Sequence, residues 1–131
     1  MIRKAKLSDS KQIKSLMKSV KGFWDESWRK DVIETGIKSS NGLSFVYEEK
    51  GEILGFICAH DLGFRGYLSE LIVSPKVQKR GIGKKLLHKV EKEFKRRGCK
   101  IIISDIWKNS VSFYEKLGWS KPDVILLRKR L

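Results

Sequence analysis

The sequence of 131 residues predicts an α/β fold, in which a mixed β-sheet packs against helices. Two observations lead to this prediction. Three strand-like segments follow one another with short turns between them, as antiparallel strands do. Further along the chain, an apolar strand, an amphipathic helix and a second apolar strand occur in that order, which predicts a βαβ unit with parallel strands.

The N-terminal part of the chain predicts one strand and two helices. Ile2 to Lys6 alternate apolar and basic residues, which is typical of an edge strand. Ser8 or Asp9 can cap a helix that ends near Gly22. A second helix is predicted from Glu26 to about Ile37, before a Ser-Ser-Asn-Gly loop.

The middle of the chain predicts antiparallel pairing. Leu43 to Tyr47 and Ile53 to Ala59 flank a polar turn, so they form a predicted hairpin. A glycine-bounded turn from Gly63 to Gly66 leads into a long apolar strand from Tyr67 to Val73, which Pro75 stops. Three adjacent antiparallel strands are therefore expected.

The remaining elements complete the predicted βαβ unit. The helix after Pro75 ends at Gly98, and Ile101 to Ile103 form the next strand. A short helix is predicted from Asn109 to Leu117, and a last strand from Val124 to Arg128. The long helix has one apolar face, formed by Ile82, Leu86, Leu87, Val90 and Phe94.

Composition predicts one soluble domain spanning residues 1–131, without metal. No apolar run reaches the ~20 residues of a membrane span, and the first residues do not resemble a signal peptide, so a cytoplasmic protein is expected. Cys58 and Cys99 lack metal-ligand spacing and are expected to be reduced. The 29 Lys and Arg against 15 Asp and Glu give a net charge of +14, which favours anionic partners. A solvated cationic surface without a dedicated partner remains an alternative.

The segment Val-Ser-Pro-Lys-Val-Gln-Lys-Arg-Gly-Ile-Gly-Lys-Lys-Leu-Leu, residues 73–87, predicts a phosphate site. Gly81 and Gly83 remove side chains where the chain enters a helix, so backbone N–H groups and the helix dipole can meet an anion. The dinucleotide fingerprint would need glycine at Leu86, and the nucleoside triphosphate loop would need Ser or Thr at Lys85. A tight turn that binds no ligand remains an alternative. Five cationic residues reinforce the positive potential: Lys76, Lys79, Arg80, Lys84 and Lys85.

Three motifs together resemble the GNAT superfamily of N-acetyltransferases. They are Val-Ser-Pro at 73–75, Gln-Lys-Arg-Gly-Ile-Gly at 78–83 and Phe-Tyr-Glu-Lys-Leu-Gly-Trp at 113–119. The resemblance implies acetyl-CoA as co-substrate and an amine as acceptor. It also implies a mixed sheet whose central parallel strands splay apart, with helices on both faces.

The resemblance further implies which residues hold acetyl-CoA. The backbone of Leu71, Ile72 and Val73 would bind the pantetheine amides in the gap between the splayed strands, and Asn109 and Tyr114 would lie beside the cofactor. The pyrophosphate would lie on the segment made of Gln78, Lys79, Arg80, Gly81, Ile82, Gly83 and Lys84.

Acetyl transfer needs a base for the amine, because a free lysine amine has a pKa near 10.4, and an acid for the thiolate. The resemblance implies Glu70 as the base and Tyr114 as the acid. Asp105, near the end of the strand from Ile101 to Ile103, is a second candidate base. Simple packing for Tyr114 and an exposed or salt-bridged strand position for Glu70 remain alternatives. His60 is expected to be structural, and His88 has no predicted role.

The sequence indicates less about the part of the site that binds the acceptor amine. Trp24 and Trp28 can pack in the core or line a cleft in which Asp25 and Glu26 attract an amine. Ser-Asp-Ile at 104–106 departs from the Glu-Val-Arg of many protein N-terminal acetyltransferases, so that specificity is not indicated. A CoA-binding sensor without activity and a basic nucleic-acid-binding module remain alternatives. No recognition motif supports nucleic-acid or ribosomal contact, and both a monomer and a homodimer remain open.

Overall fold

One mixed sheet of five strands organises the protein, which is described over residues 1–131 by a computed structural model. The strands are β1 (Ile2–Lys4), β2 (Ser44–Glu49), β3 (Glu52–Asp61), β4 (Gly66–Val73) and β5 (Ile102–Ile103). The helices are α1 (Ser10–Lys18), α2 (Val32–Ser40), α3 (Ile82–Arg96) and α4 (Val111–Lys116). None of these helices combines the length and the apolar character needed to cross a membrane.

The strand order confirms the predicted fold class. Neighbours in the sheet follow chain order from β1 to β5, with the first three pairs antiparallel. β4 and β5 are parallel and joined through α3, which is the predicted βαβ unit.

The two faces of the sheet carry separate cores, because successive side chains of a strand point to opposite faces. Phe45 of β2 and Ile57 of β3 pack with α3 and α4 in a core that also contains Phe94. Val46 and Phe56, the adjacent residues on the same strands, pack against α1 and α2. Helices therefore cover both faces, as predicted.

The start of the second helix was predicted wrongly. The sequence pattern placed it from Glu26, but α2 begins at Val32. The Asp25 carboxylate accepts hydrogen bonds from the Ser27 amide at 2.8 Å and from the Ser27 hydroxyl at 2.7 Å. Such a side-chain turn competes with helical hydrogen bonding, so residues 24–31 form turns between α1 and α2.

The predicted strand from Val124 to Arg128 is also absent. β5 pairs over two residues only, so it offers no long free ladder to a further strand. Val124, Ile125 and Leu127 are exposed, although their apolar character fits a strand. A strand pattern is therefore not sufficient where no neighbouring strand can complete the hydrogen bonds.

Candidate active site

The parallel strands β4 and β5 separate soon after they meet. They pair through two consecutive residues of β4, Gly66 and Tyr67. One further bond, from the Ser104 hydroxyl to the Leu68 carbonyl at 2.8 Å, closes the paired end. Beyond Leu68 no strand lies beside β4 on this side, so the rest of that edge opens into a cleft.

A bulge in β4 lies where the two strands begin to part. Cys58 of β3 is opposite Glu70, but the next residue, Ala59, is opposite Leu68, which leaves Ser69 as the additional residue. A bulge of this kind bends the strand and redirects its side chains. Ser69 and Glu70 consequently both border a cavity beneath α2.

The open edge of β4 presents backbone hydrogen-bonding groups to the cleft. The Ser74 amide donates to β3 at 2.8 Å, and antiparallel strands alternate between residues that face the partner and residues that face away. The backbone of Ile72 therefore faces β3, and that of Leu71 and Val73 faces the cleft. In agreement, the Val73 carbonyl accepts a hydrogen bond from the Gln78 side chain at 3.0 Å.

The start of α3 lies at the mouth of the same cleft. The first intrahelical bond runs from the Lys85 amide to the Gly81 carbonyl at 3.0 Å, so the amides of residues 81–84 precede the helical ladder and are free for a ligand. Gly81 has a φ of +75°, which favours glycine. At Gly83 a Cβ atom would lie 3.4 Å from the Phe113 ring, because α4 packs closely here.

The cleft has a volume of about 1110 Å³ and is wide enough for an extended cofactor. Arg80 points away from it and forms an ion pair with Glu49. Asn109 lies in the short helical turn before α4, where Ser110 rather than Asn109 reaches the wall. The other predicted site residues all line it: Glu70, Leu71, Ile72, Val73, Gln78, Lys79, Gly81, Ile82, Gly83, Lys84, Asp105 and Tyr114.

Glu70 is a partly buried carboxyl in the cleft wall, and it takes part in none of the salt bridges of the protein. Burial, and to a smaller extent the negative charge of Asp105, raise the pKa of Glu70 to about 7. A carboxyl with this pKa can exchange a proton at neutral pH. The exposed or salt-bridged strand position considered for Glu70 is therefore not what the structure contains.

Asp105 is held by a neighbour on β4. It accepts a hydrogen bond from the Tyr67 hydroxyl, which links β4 to the segment after β5. Burial and this hydrogen bond raise the pKa of Tyr67. Asp105 thus has a structural partner, whereas Glu70 has none.

Tyr114 packs beneath α3, on the face of the sheet opposite the cavity beneath α2, and is only 7% exposed. Its ring packs edge-on against Phe113 and Trp119, with centroids 5.1 and 5.3 Å apart. Burial, with a smaller contribution from the charge of Glu70, raises the pKa of Tyr114 to about 12. Its hydroxyl therefore remains protonated at neutral pH and can act as a donor.

The two tryptophans of the turn region have different positions. Trp28 borders the cleft, together with Asp25. Trp24 meets Trp28 edge-on at 5.2 Å, and the Lys14 ammonium lies 5.1 Å from the Trp24 ring centroid. Glu26 does not reach the cleft wall, so Asp25 is the acidic residue of this turn that faces it.

Two residues of the cleft wall have no sequence signal that identifies them. Ser69 lines the cleft because of the bulge, which depends on pairing between distant strands. Arg128 reaches the wall from the C-terminal segment. His60, expected to be structural, lies with Nε2 3.0 Å from the Ser69 hydroxyl and stacks on Tyr67.

Charge is distributed unevenly along the cleft. The cationic residues of its wall are Lys79, Lys84, Lys116 and Arg128, and Lys79 and Lys84 lie near the free amides at the start of α3. Glu70 and Asp105 lie where the strands part. An elongated ligand with phosphate at one end and a neutral arm at the other matches this distribution.

The sheet splits at one parallel pair, and free amides at a helix start lie beside the split. The model of the Acetyltransferase (GNAT) family matches residues 11–119, and the chain belongs to this family. It is therefore an acyltransferase, in a family that uses acetyl-CoA.

Solved structures share the fold over nearly the whole chain. A transcriptional regulator from Bacillus halodurans C-125 has a TM-score of 0.81 at 19% identity, covering 100% of this chain and 99% of that one. The glucosamine-6-phosphate N-acetyltransferase of Arabidopsis thaliana has a TM-score of 0.75 at 21% identity, covering 98% and 97%. AAC(6')-Iy in complex with the bisubstrate analog CoA-S-monomethyl-acetylneamine has a TM-score of 0.75 at 22% identity, covering 100% and 98%. At these identities the likeness shows the fold alone.

Proposed function

We propose that residues 1–131 form one N-acetyltransferase domain that transfers an acetyl group from acetyl-CoA to a primary amine by direct attack in a ternary complex. The observation that carries the proposal is the coincidence, in one cleft, of an open strand edge, free helix-start amides, a carboxyl with a pKa of about 7 and a protonated tyrosine. Acetyl-CoA supplies the activated thioester. The chain supplies binding, orientation and two proton transfers.

The cofactor site follows from the backbone groups that have no partner. The amides of residues 81–84 and the nearby Lys79 and Lys84 suit the pyrophosphate. The outward-facing backbone of Leu71 and Val73 suits the amides of pantetheine, which would lie beside β4 as an added strand. The Val73 amide is also placed to receive the negative charge that develops on the thioester oxygen.

Glu70 is the proposed general base. The nucleophile must be a neutral amine, so a proton has to leave the ammonium form before attack. A carboxylate with a pKa of about 7 accepts that proton at neutral pH more readily than an ordinary exposed carboxylate does. Asp105 acts through its charge, which helps to raise the pKa of Glu70.

Tyr114 is the proposed general acid. As the amine nitrogen bonds to the carbonyl carbon and the carbon–sulfur bond breaks, the Tyr114 hydroxyl gives its proton to the departing thiolate. The acylated nitrogen then loses its extra proton to solvent, and the tyrosinate takes a proton back from solvent. Glu70 borders the cavity beneath α2, and Tyr114 packs in the core beneath α3. The amine can therefore approach from one face of the sheet while the sulfur leaves toward the other.

The test measures thiol release from acetyl-CoA with a panel of amino acids, peptides, polyamines and aminoglycosides, with acetylated products identified by mass spectrometry. We expect turnover with at least one class, and calorimetric binding of acetyl-CoA without any acceptor. Acetyl-CoA binding without turnover for every amine would indicate a sensor. Salt-dependent RNA binding without affinity for CoA would indicate a nucleic-acid module.

A further inference from the structure

A second cavity, of about 110 Å³, lies between α2 and β4, next to the acetyl-transfer cleft. Trp28, Ser69 and Glu70 border both spaces, so the proposed base lies between the two. The remaining walls come from α1, α2 and β3, through residues that include Met17, Ile33, Gly36 and Phe56. We call this space the α2 chamber.

The hydroxyl and the thiol that border the α2 chamber are already paired within the protein. The Ser69 hydroxyl donates to the Cys58 carbonyl at 3.0 Å and lies 3.0 Å from His60 Nε2. The Cys58 thiol donates to the Gly36 carbonyl at 3.4 Å, and burial raises the pKa of Cys58 to about 12, so the thiol stays neutral. Glu70 is therefore the one charged group that the chamber presents to an occupant.

We propose that the α2 chamber holds a compact apolar group of the acceptor, and that the acceptor is a primary amine whose nitrogen lies at Glu70 with a short alkyl group behind it. This inference rests on the proposed acetyl transfer. A chamber with apolar walls and Glu70 as its one charged group fits an alkyl amine better than a polyamine. A second ammonium group in the chamber would be buried without a partner, which is costly.

The volume sets the size of the alkyl group. An apolar cavity of about 150 Å³ holds a six-carbon ring. The α2 chamber is about three quarters of that size, so it fits a group of about four to five carbons. A leucine-like or isoleucine-like side chain and a 3-methylbutyl group are of this size.

The first experiment is a chain-length series with acetyl-CoA: ethylamine, propylamine, 2-methylpropylamine, 3-methylbutylamine and hexylamine. Each buried methylene should raise kcat/KM by about three- to fourfold, up to four or five carbons, and hexylamine should react more slowly. 1,4-Diaminobutane should react at least tenfold more slowly than 3-methylbutylamine, because its second ammonium group enters the chamber.

The second experiment fills the chamber with one methyl group through Gly36→Ala. A Cβ atom at Gly36 would lie 3.7 Å from the Cys58 sulfur, which is ordinary van der Waals contact. Gly36 lies inside α2, where alanine is the better helix former, so the variant should fold at least as well as the wild type. We expect kcat/KM for 3-methylbutylamine to fall at least fivefold and that for ethylamine to change less than twofold.

The matched control is Lys38→Ala, a change on the exposed side of α2, which should leave the whole series unchanged. A readout without chemistry is the Kd of 3-methylbutylamine in the presence of CoA, measured by calorimetry. Gly36→Ala should weaken this binding, and Lys38→Ala should not.

The outcomes separate the two proposals. Absence of turnover with every amine would contradict acetyl transfer itself. Turnover with a flat chain-length series, or with equal effects of Gly36→Ala on short and long amines, would leave acetyl transfer in place and overturn the assignment of the α2 chamber. Preference for diamines over alkyl amines of equal length would overturn it as well.

Discussion

Replacing Glu70 by Gln should stabilise the protein at alkaline pH while it removes the proposed base. The ordinary pKa of a glutamate carboxyl is 4.5, and in the folded protein that of Glu70 is about 7. Below pH 4.5 the carboxyl is protonated in both the folded and the unfolded state, so Glu70 does not lower the free energy of unfolding there. As pH rises from 4.5 through 7, the unfolded chain loses this proton first, and the native state becomes progressively less stable.

The size of the effect follows from the two pKa values. One unit corresponds to about 1.4 kcal/mol, so the ionised Glu70 costs the native state about 3 kcal/mol at pH 8.5. Glutamine has nearly the same shape and no charge. The free energy of unfolding of Glu70→Gln, relative to wild type, should therefore rise by up to about 3 kcal/mol between pH 4.5 and pH 8.5.

Urea unfolding followed by tryptophan fluorescence at several pH values measures this difference. Other titrating groups are present in both proteins, so they cancel in the comparison. Glu115→Gln provides a matched control, because it makes the same chemical change at an exposed position of α4 and should alter the unfolding free energy by less than about 0.5 kcal/mol. A Glu70→Gln difference that is the same at pH 4.5 and pH 8.5 would refute the assigned burial and pKa of Glu70.

The same variant has a kinetic consequence. A general base contributes about 10²- to 10⁴-fold, so turnover should fall by this factor while the Kd for acetyl-CoA stays within about twofold. The wild-type rate should rise with pH through about 7 as Glu70 ionises. Glu70→Gln should lose this acidic limb, and an unchanged pH profile would point to another base.

Three further variants test the remaining parts of the site. Tyr114→Phe keeps the buried ring contacts, so turnover should fall about 10²-fold or more with little change in the calorimetric Kd for acetyl-CoA; equal turnover would remove Tyr114 from the mechanism. Gly81→Val places a β-branched residue at a φ of +75°, which should reorient the amides of the turn and raise the Kd for acetyl-CoA at least tenfold; an unchanged Kd would show that the turn does not bind the pyrophosphate. Deleting residues 124–131, which include the exposed Val124, Ile125 and Leu127, should change the unfolding free energy by less than about 1 kcal/mol, whereas loss of cooperative unfolding would show that the segment is part of the fold.

The part of the site that binds the cofactor could be predicted from short sequence patterns. Gly81 and Gly83 predict a turn that needs backbone without side chains. In the structure, Gly81 has a positive φ, and Gly83 lies close to the Phe113 ring. The apolar period of α3 and the order of strand, helix and strand predict the parallel pair. Each of these signals comes from a continuous stretch of sequence, so no knowledge of distant contacts is needed.

The elements that were mispredicted depend on features that the pattern of apolar residues does not record. The segment from Val124 to Arg128 has the composition of a strand, but β5 is too short to pair with it. The pattern from Glu26 to Ile37 fits a helix, but the side chain of Asp25 stabilises a turn instead. Neither the length of β5 nor the preference for this turn can be read from periodicity alone.

The α2 chamber and the position of Glu70 have the same origin, the bulge at Ser69. Leu68 and Ile72 are four residues apart, so in a regular strand they would share a face. In the protein, Leu68 packs beneath α3 and Ile72 packs beneath α1 and α2. The additional residue therefore reverses which face each later side chain of β4 occupies.

This reversal separates the two proposed proton-transfer groups. Without it, Glu70 would lie on the face of Leu68, beside Tyr114, and a carboxyl and a phenol on one side of the cleft would leave the opposite side without a base. With it, Glu70 faces α2 at the mouth of the chamber, and Tyr114 stays beneath α3. Because side-chain direction in a strand has a period of two, a single inserted residue is the smallest change that can move the base across the sheet and leave the acid in place.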